Sequence, residues 1–206
     1  MLAGTFKPQA GSILIHGVEA ANRGASARIG MGLGRTFQIP KPFPQMTVLE
    51  NVLTGAQNQV GETIFANFLR WGRVAGEERQ AIAKAKEILD FVKLHHLMHE
   101  PARVLSGGQR KLLELARVLM ADPSIILLDE PAAGVNPALL EFIIERVTEL
   151  NAQGKSILLI EHNMDMVTRL CHRVVVMAGG KHLTEGTPQA VARNPAVIEA
   201  YLGAAA

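Results

Sequence analysis

The sequence predicts an α/β fold in which a parallel sheet carries a helical insertion, and three observations predict it. After Leu105, short aliphatic runs alternate with helical patterns, which is the order that gives parallel strands joined by crossover helices. Residues 47–104 instead read as helix throughout. The chain has 206 residues, 48% of them apolar and 19% charged, which suits a globular protein with a core and excludes a disordered or disulfide-dense one.

In chain order, Gly11–Gly17 is a short aliphatic strand between turn residues, suited to a peripheral sheet. Arg35-Thr-Phe-Gln38 is a second short strand. It runs into Ile39-Pro-Lys-Pro-Phe-Pro44, where alternate prolines forbid helix and ladder alike, so a loop follows. Thr47-Val-Leu-Glu50 has the spacing of a capping box and starts a helix. From about Glu77 to Leu97, Ile82, Ala85, Leu89 and Val92 form one apolar stripe, with Lys84, Lys86, Glu87 and Lys93 largely off it. Then come a helix over Gly108–Met120, a strand over Ile125–Asp129, a helix over Pro137–Gln153, a strand over Ile157–Glu161, another helix, and a strand over Val174–Met177. Two short helices separated by Asn194-Pro195 close the chain between Thr187 and Leu202.

Several function classes are excluded early. Lys and Arg number 21 against 19 Asp and Glu, a net charge of +2 spread along the chain, and aromatic residues are only 4%. That leaves neither the basic field nor the stacking platforms that nucleic-acid binding uses. Cys171 is the single cysteine, so an intrachain disulfide and a cysteine-based zinc site are both ruled out and a packing role is expected. The aliphatic runs fall far short of the ~18 residues of a membrane span. Residues 1–8 lack a basic start followed by an apolar stretch, so cytosolic residence is expected.

The chemistry concentrates at a few positions. The apolar strand Ile125–Asp129 ends in two acids, Asp129 and Glu130, and ligands of parallel sheets bind at the carboxyl ends of strands. Two carboxylates there cost desolvation unless a cation sits beside one and a polarised water or substrate beside the other. Leu105-Ser-Gly-Gly-Gln109 opens the preceding helix. Two adjacent glycines cost ~1 kcal/mol each within a helix, so bare backbone is needed there. A phosphate would use it, together with the Ser106 hydroxyl and the helix N-terminus, while the motif taken alone reads as a serine N-cap with glycines in a tight entry turn. His162 follows the next strand and reaches the same sheet edge. Gln38, at a strand end, offers a neutral amide oxygen for magnesium or an attacking water. His95-His-Leu-Met-His99 puts two histidines at i and i+4, with Glu100 adjacent, but no third ligand is evident and a solvated pair near a helix C-terminus is the preferred reading.

Gln38, Leu105-Ser-Gly-Gly-Gln109, Asp129-Glu130 and His162, in that order, resemble the ATP-binding subunit of an ABC transporter. Arg35-Thr-Phe-Gln38, Phe43-Pro-Gln-Met-Thr-Val-Leu-Glu-Asn-Val52, Glu130-Pro-Ala-Ala-Gly-Val-Asn-Pro137 and Asn194-Pro-Ala-Val-Ile-Glu-Ala-Tyr-Leu-Gly203 are similar to the branched-chain amino-acid import branch, with urea and amide importers as relatives. The resemblance implies a P-loop NTPase (ABC-type) nucleotide-binding domain with a helical subdomain, truncated at its N-terminus. Residues 1–46 would be the remnant of the N-terminal core with the Q-loop, 47–104 the helical subdomain that docks on the permease, and 105–206 the α/β core.

It also implies site roles. Glu130 would polarise water and His162 would sense the γ-phosphate. Asp129 and Gln38 would serve Mg2+, while Ser106, Gly107, Gly108 and Gln109 would meet ATP held by the opposite subunit. The implied partners are a second ATP-binding subunit, transmembrane permease subunits and, indirectly, a solute-binding protein, at the cytoplasmic face of the plasma membrane. Asn136, where many relatives have aspartate, is an ordinary variant of this branch.

One departure matters more than the matches. The chain has no Gly-x-x-x-x-Gly-Lys-Ser/Thr, and Gly30-Met-Gly-Leu-Gly34 lacks both the lysine and the spacing. Residues 1–13 are similar to the family sequence just beyond that loop. Without the phosphate cradle, no appreciable ATP hydrolysis is expected of this chain as a homodimer, although Ser106–Gln109 could still serve an intact partner. The alternative is a catalytically silent interaction subunit or gene fragment that docks on a permease or intact ATPase partner. By analogy with the family, the cradle strand belongs between Ile157–Ile160 and Val174–Met177, so two unpaired edges and marginal stability are expected.

Overall fold

A computed structural model describes residues 1–36, 40–57 and 71–202. The chain begins with a small hairpin, β1 (Leu14–Ile15) paired antiparallel to β2 (Val18–Glu19). His16 and Gly17 both take positive φ, 49° and 75°, giving the two left-handed turn residues that a tight hairpin needs. The single strand expected over Gly11–Gly17 is therefore one arm of a hairpin. Helix α1 (Ala25–Gly30) follows. Its Arg28 is 1% exposed and donates to the carbonyls of Met1, Leu2, Ala20, Ala21 and Arg23, which ties the first residues to the hairpin.

Strand β3 is Leu33–Arg35, shifted toward the N-terminus from the expected Arg35–Gln38; Phe37 and Gln38 lie outside the described residues. Gly34 concealed the shift, because glycine reads as a strand breaker. Here it is required: a Cβ on Gly34 would lie 2.6 Å from Val118 Cγ1 and 3.0 Å from Pro123 Cγ. After the proline-rich segment, α2 (Val48–Leu53) starts with the expected capping box between Thr47 and Glu50. Buried Asn51 holds the loop onto this helix, its amide donating to the Phe43 and Thr47 carbonyls while its oxygen accepts from the Phe43 N–H.

Helix α3 (Trp71–Phe91) ends before the expected Leu97. Lys93 turns left-handed at φ 56° and the Leu94 N–H reaches back to the Leu89 carbonyl, a C-terminal closure that buries Leu94. His95 consequently lies in a 3-10 turn, His95–Leu97, with His99 beyond it, so the two histidines do not share a helix face. Among the described residues no cluster of three or more His, Cys, Asp or Glu is arranged to hold a metal ion.

The remaining elements are α4 (Gly107–Met120), β4 (Ile125–Asp129), α5 (Pro137–Ala152), β5 (Ser156–Ile160), α6 (Met164–Leu170), β6 (Val174–Ala178), β7 (Lys181–Gly186), α7 (Pro188–Ala192) and α8 (Pro195–Leu202). The expected parallel sheet is present as β3-β4-β5, with Arg35 opposite Leu127 and Asp129 opposite Ile160. β6 does not join it. It pairs antiparallel with β7, a strand that the sequence pattern does not signal because Lys181–Gly186 is polar and mostly exposed. β4 is central, with Ile126, Leu127 and Leu128 buried. One continuous core joins Val48, Val52, Leu89 and Val92 of the helical stretch to Leu113, Ile126, Ile143 and Met166. Helices thus cover one face of β4 and β5, while the other face of β5 leaves Leu158 and Ile160 exposed.

Candidate functional site

The site grows from two adjacent strand ends. β4 and β5 stop in register, and the Glu130 N–H donates to the Ile160 carbonyl, extending the ladder by one residue. Glu130 then takes φ 46°, a conformation unusual for a residue with a Cβ, and the chain turns away. Its side chain meets the residue after β5 plus one: His162 Nδ1 lies 3.8 Å from Glu130 Oε1. Asp129 ends β4 with its carboxylate oxygen accepting from Arg35 Nη2 at 3.1 Å, while its N–H donates to Thr36 Oγ1. The expected trio of Asp129, Glu130 and His162 is brought together at one carboxyl edge.

Ser106 and Gln109 are occupied with each other. Ser106 Oγ accepts the Gln109 N–H and the Gln109 side-chain oxygen accepts the Ser106 N–H, a capping box that starts α4. The two glycines differ. A Cβ at Gly107 would meet nothing within 4 Å, whereas one at Gly108 would collide with Leu139 Cδ2. Close packing against α5 accounts for the second glycine, and only the first leaves open backbone. Asn136 caps α5, its side-chain oxygen accepting from the Leu139 N–H. Gln38 lies outside the described residues.

Three further residues shape this edge: Arg35, Lys111 and Glu161. Lys111 Nζ donates to the carbonyls of Glu130 and Pro131. Desolvation pushes its pKa down, and the charges of Glu161 and Glu130 pull it back up. The Glu161 side chain is buried and accepts from three backbone N–H groups, those of Ala132, His162 and Asn163. Only Glu161 had a sequence signal, an acid closing an apolar strand as Asp129 does. Chemically, the edge offers hard carboxylate oxygens next to an imidazole. Asp129 suits a magnesium ion, which takes one or two protein carboxylates and completes its shell with phosphate oxygens and water.

The ABC transporter family model matches residues 1–133. The chain belongs to the ABC transporter family. The branched-chain amino acid ATP-binding cassette transporter model matches residues 181–206 of this ABC chain. A probable branched-chain amino acid transport ATP-binding protein, LivG, of Archaeoglobus fulgidus is 41% identical over 203 residues, covering 98% of this chain and 78% of the relative. The high-affinity branched-chain amino acid transport ATP-binding protein LivG of Escherichia coli K12 is 36% identical over 205 residues, covering 99% and 80%. Among solved structures, the ADP conformation of the ATP-binding cassette MJ1267 superimposes with a TM-score of 0.81 at 37% identity, over 98% of this chain and 80% of that one. The ABC-type fold is thus that of a nucleotide-binding cassette, and its branch is the one named for branched-chain amino acids.

Proposed function

We propose that this chain is the ATP-binding subunit of an ABC importer for branched-chain amino acids. The observation that carries the reading is the 3.8 Å approach of Glu130 and His162 beside Asp129, at the carboxyl edge of a parallel sheet in an ABC chain. Glu130 polarises the attacking water, His162 contacts the γ-phosphate, and Asp129 with Gln38 serves Mg2+, which when bound neutralises charge on the phosphates. Ser106, Gly107, Gly108 and Gln109 form the face presented to ATP held by a second ATP-binding subunit. Residues 47–104 dock on the permease, which places the chain peripherally at the cytoplasmic face of the membrane. No described helix is long and apolar enough to cross one.

The experiment weighs this reading against a catalytically silent docking subunit. Binding of a fluorescent ATP analogue, and ATP turnover, measured with and without a cassette of this branch that contains the cradle, separates the two. Nucleotide retention and turnover above that of the partner alone supports the importer reading. Complex formation without gain in either supports the silent subunit. Uptake of labelled leucine against urea, in cells where this chain replaces the resident subunit, tests the solute.

A further inference from the structure

We infer that Lys111 and Glu161 are positioning residues that clamp the turn after Glu130, one through its carbonyls and the other through an N–H, and so fix Glu130 relative to His162. The inference rests on the reading of Glu130 and His162 as the pair that meets water and phosphate. It assigns a task to two residues outside that pair.

The geometry is as follows. Glu161 Oε1 accepts from the Ala132 N–H at 2.7 Å, and Oε2 accepts from the His162 and Asn163 N–H groups at 2.9 and 3.0 Å. One carboxylate therefore grips the turn that follows Glu130 with one oxygen and the segment that carries His162 with the other. Such charge-assisted bonds are about twice as strong as neutral ones. Lys111 Nζ in turn donates to the carbonyls of Glu130 at 3.0 Å and Pro131 at 3.3 Å. The peptide groups of the turn are thus held through their oxygens by a cation and through a nitrogen by an anion.

Why the turn needs a clamp follows from its backbone. Glu130 sits at φ 46°, a region a glutamate does not choose, and such conformations persist only where the surroundings impose them. The clamp is also costly. The Glu161 side chain has no exposed surface, and burying a carboxylate beside a half-buried ammonium is a poor way to gain stability compared with apolar packing. What it gains is geometry. Lys111 belongs to α4, which opens with Ser106-Gly-Gly-Gln, so three segments far apart in sequence are tied at one point.

Glutamine distinguishes positioning from filling space. Its side chain has one acceptor oxygen and a donor NH2, so it cannot accept from Ala132 on one side and from His162 and Asn163 on the other. Glu161→Asp keeps both acceptor oxygens. The test uses the full chain and three readouts: thermal unfolding, amide hydrogen exchange at Ala132, His162 and Asn163, and the His162 ring carbon–proton resonance at fixed pH. Glu130→Gln is introduced into each background, and the shift it causes at His162 measures how well the two side chains are held together.

In Glu161→Gln, exchange at one side of the clamp is expected to rise about tenfold while amides in the middle of β4 keep their protection. The effect of Glu130→Gln on His162 is expected to fall to about a third, with partial recovery in Glu161→Asp. If Glu161→Gln loses protection throughout, Lys111→Met carries the test with the same expected loss at His162. Unchanged coupling in both variants, or loss that only tracks global unfolding, overturns the inference. Loss of coupling in a chain that never supports ATP turnover with an intact partner would leave the clamp standing and defeat the functional reading alone.

Discussion

The guanidinium of Arg35 lies 3.1 Å from the carboxylate of Asp129, joining the last residue of β3 to the last residue of β4. The strands are paired in parallel, so this bridge closes the sheet at the edge where the site forms. Both side chains are partly exposed, at 34% and 21%, so the pair contributes modestly, ~0.5–1 kcal/mol. Arg35→Gln should lower the midpoint of thermal unfolding by roughly 1–4 °C at low salt. Circular dichroism melts should show the gap to the wild type narrowing as salt is raised. Equal midpoints at low salt would mean the bridge contributes nothing.

The two glycines of the Ser106–Gln109 segment should respond differently to alanine. At Gly108 the added methyl meets Leu139, which is half-buried and must change rotamer, so a cost of about 1 kcal/mol is expected. Leu139→Ala should recover part of that loss. At Gly107 the methyl meets open space and alanine is the better helix former, so folding should be unaffected or slightly improved. Urea midpoints of the two variants check the order. Nucleotide retention with an intact partner then reports whether the open backbone of Gly107 is used.

Among the described residues β5 pairs only with β4 and β6 only with β7, so each leaves one edge without a partner strand. The same strands expose Leu158 at 43%, Ile160 at 55%, Val175 at 51% and Met177 at 66%. Unpaired N–H and C=O groups beside apolar side chains template association. Light scattering of the purified chain should show apparent mass rising with concentration. Leu158→Lys with Met177→Lys should suppress the rise. A single species at all concentrations in the wild type would contradict this account.

Acid should destabilise the fold, and the sign follows from the carboxylates. Glu19 and Glu50 are held below the usual range by backbone N–H groups, chiefly those of Ala21 and Thr47. Asp122, Glu141 and Glu185 are held below it by hydrogen bonds from Lys155, Arg169 and Arg173. These groups bind fewer protons folded than unfolded. Their stabilisation is therefore complete above the ordinary carboxylate pKa of about 4 and is lost as pH falls through their lowered values. Glu114 opposes them: burial raises its pKa, with Arg117 countering, so the folded state binds its proton more readily and stability declines as pH rises through the weakly acidic range. Urea midpoints at pH 7, 5 and 3 should fall mainly below about pH 4, and Glu114→Gln should flatten the small trend above it. A midpoint that rises on acidification below that value would refute the assignment.

What the sequence determined by itself was whatever depends on neighbours a few residues apart. The Thr47–Glu50 capping box, the apolar run of β4 and the amphipathic stripe of α3 need only local spacing, because hydrogen bonds three residues apart and periodic burial are set by backbone geometry. The trio of Asp129, Glu130 and His162 was legible for a related reason: strand ends in a parallel sheet share one edge, so position along the chain predicts position in space. Only the tertiary structure decided that Gly34 belongs inside a strand under Val118 and Pro123, that Gly108 yields room to Leu139, and that β6 pairs with β7. It alone revealed Arg35 and Lys111 as parts of the site and what Glu161 holds there. Each meets partners from a distant segment, and those partners are set by what surrounds the side chain after folding, which spacing along the chain does not encode.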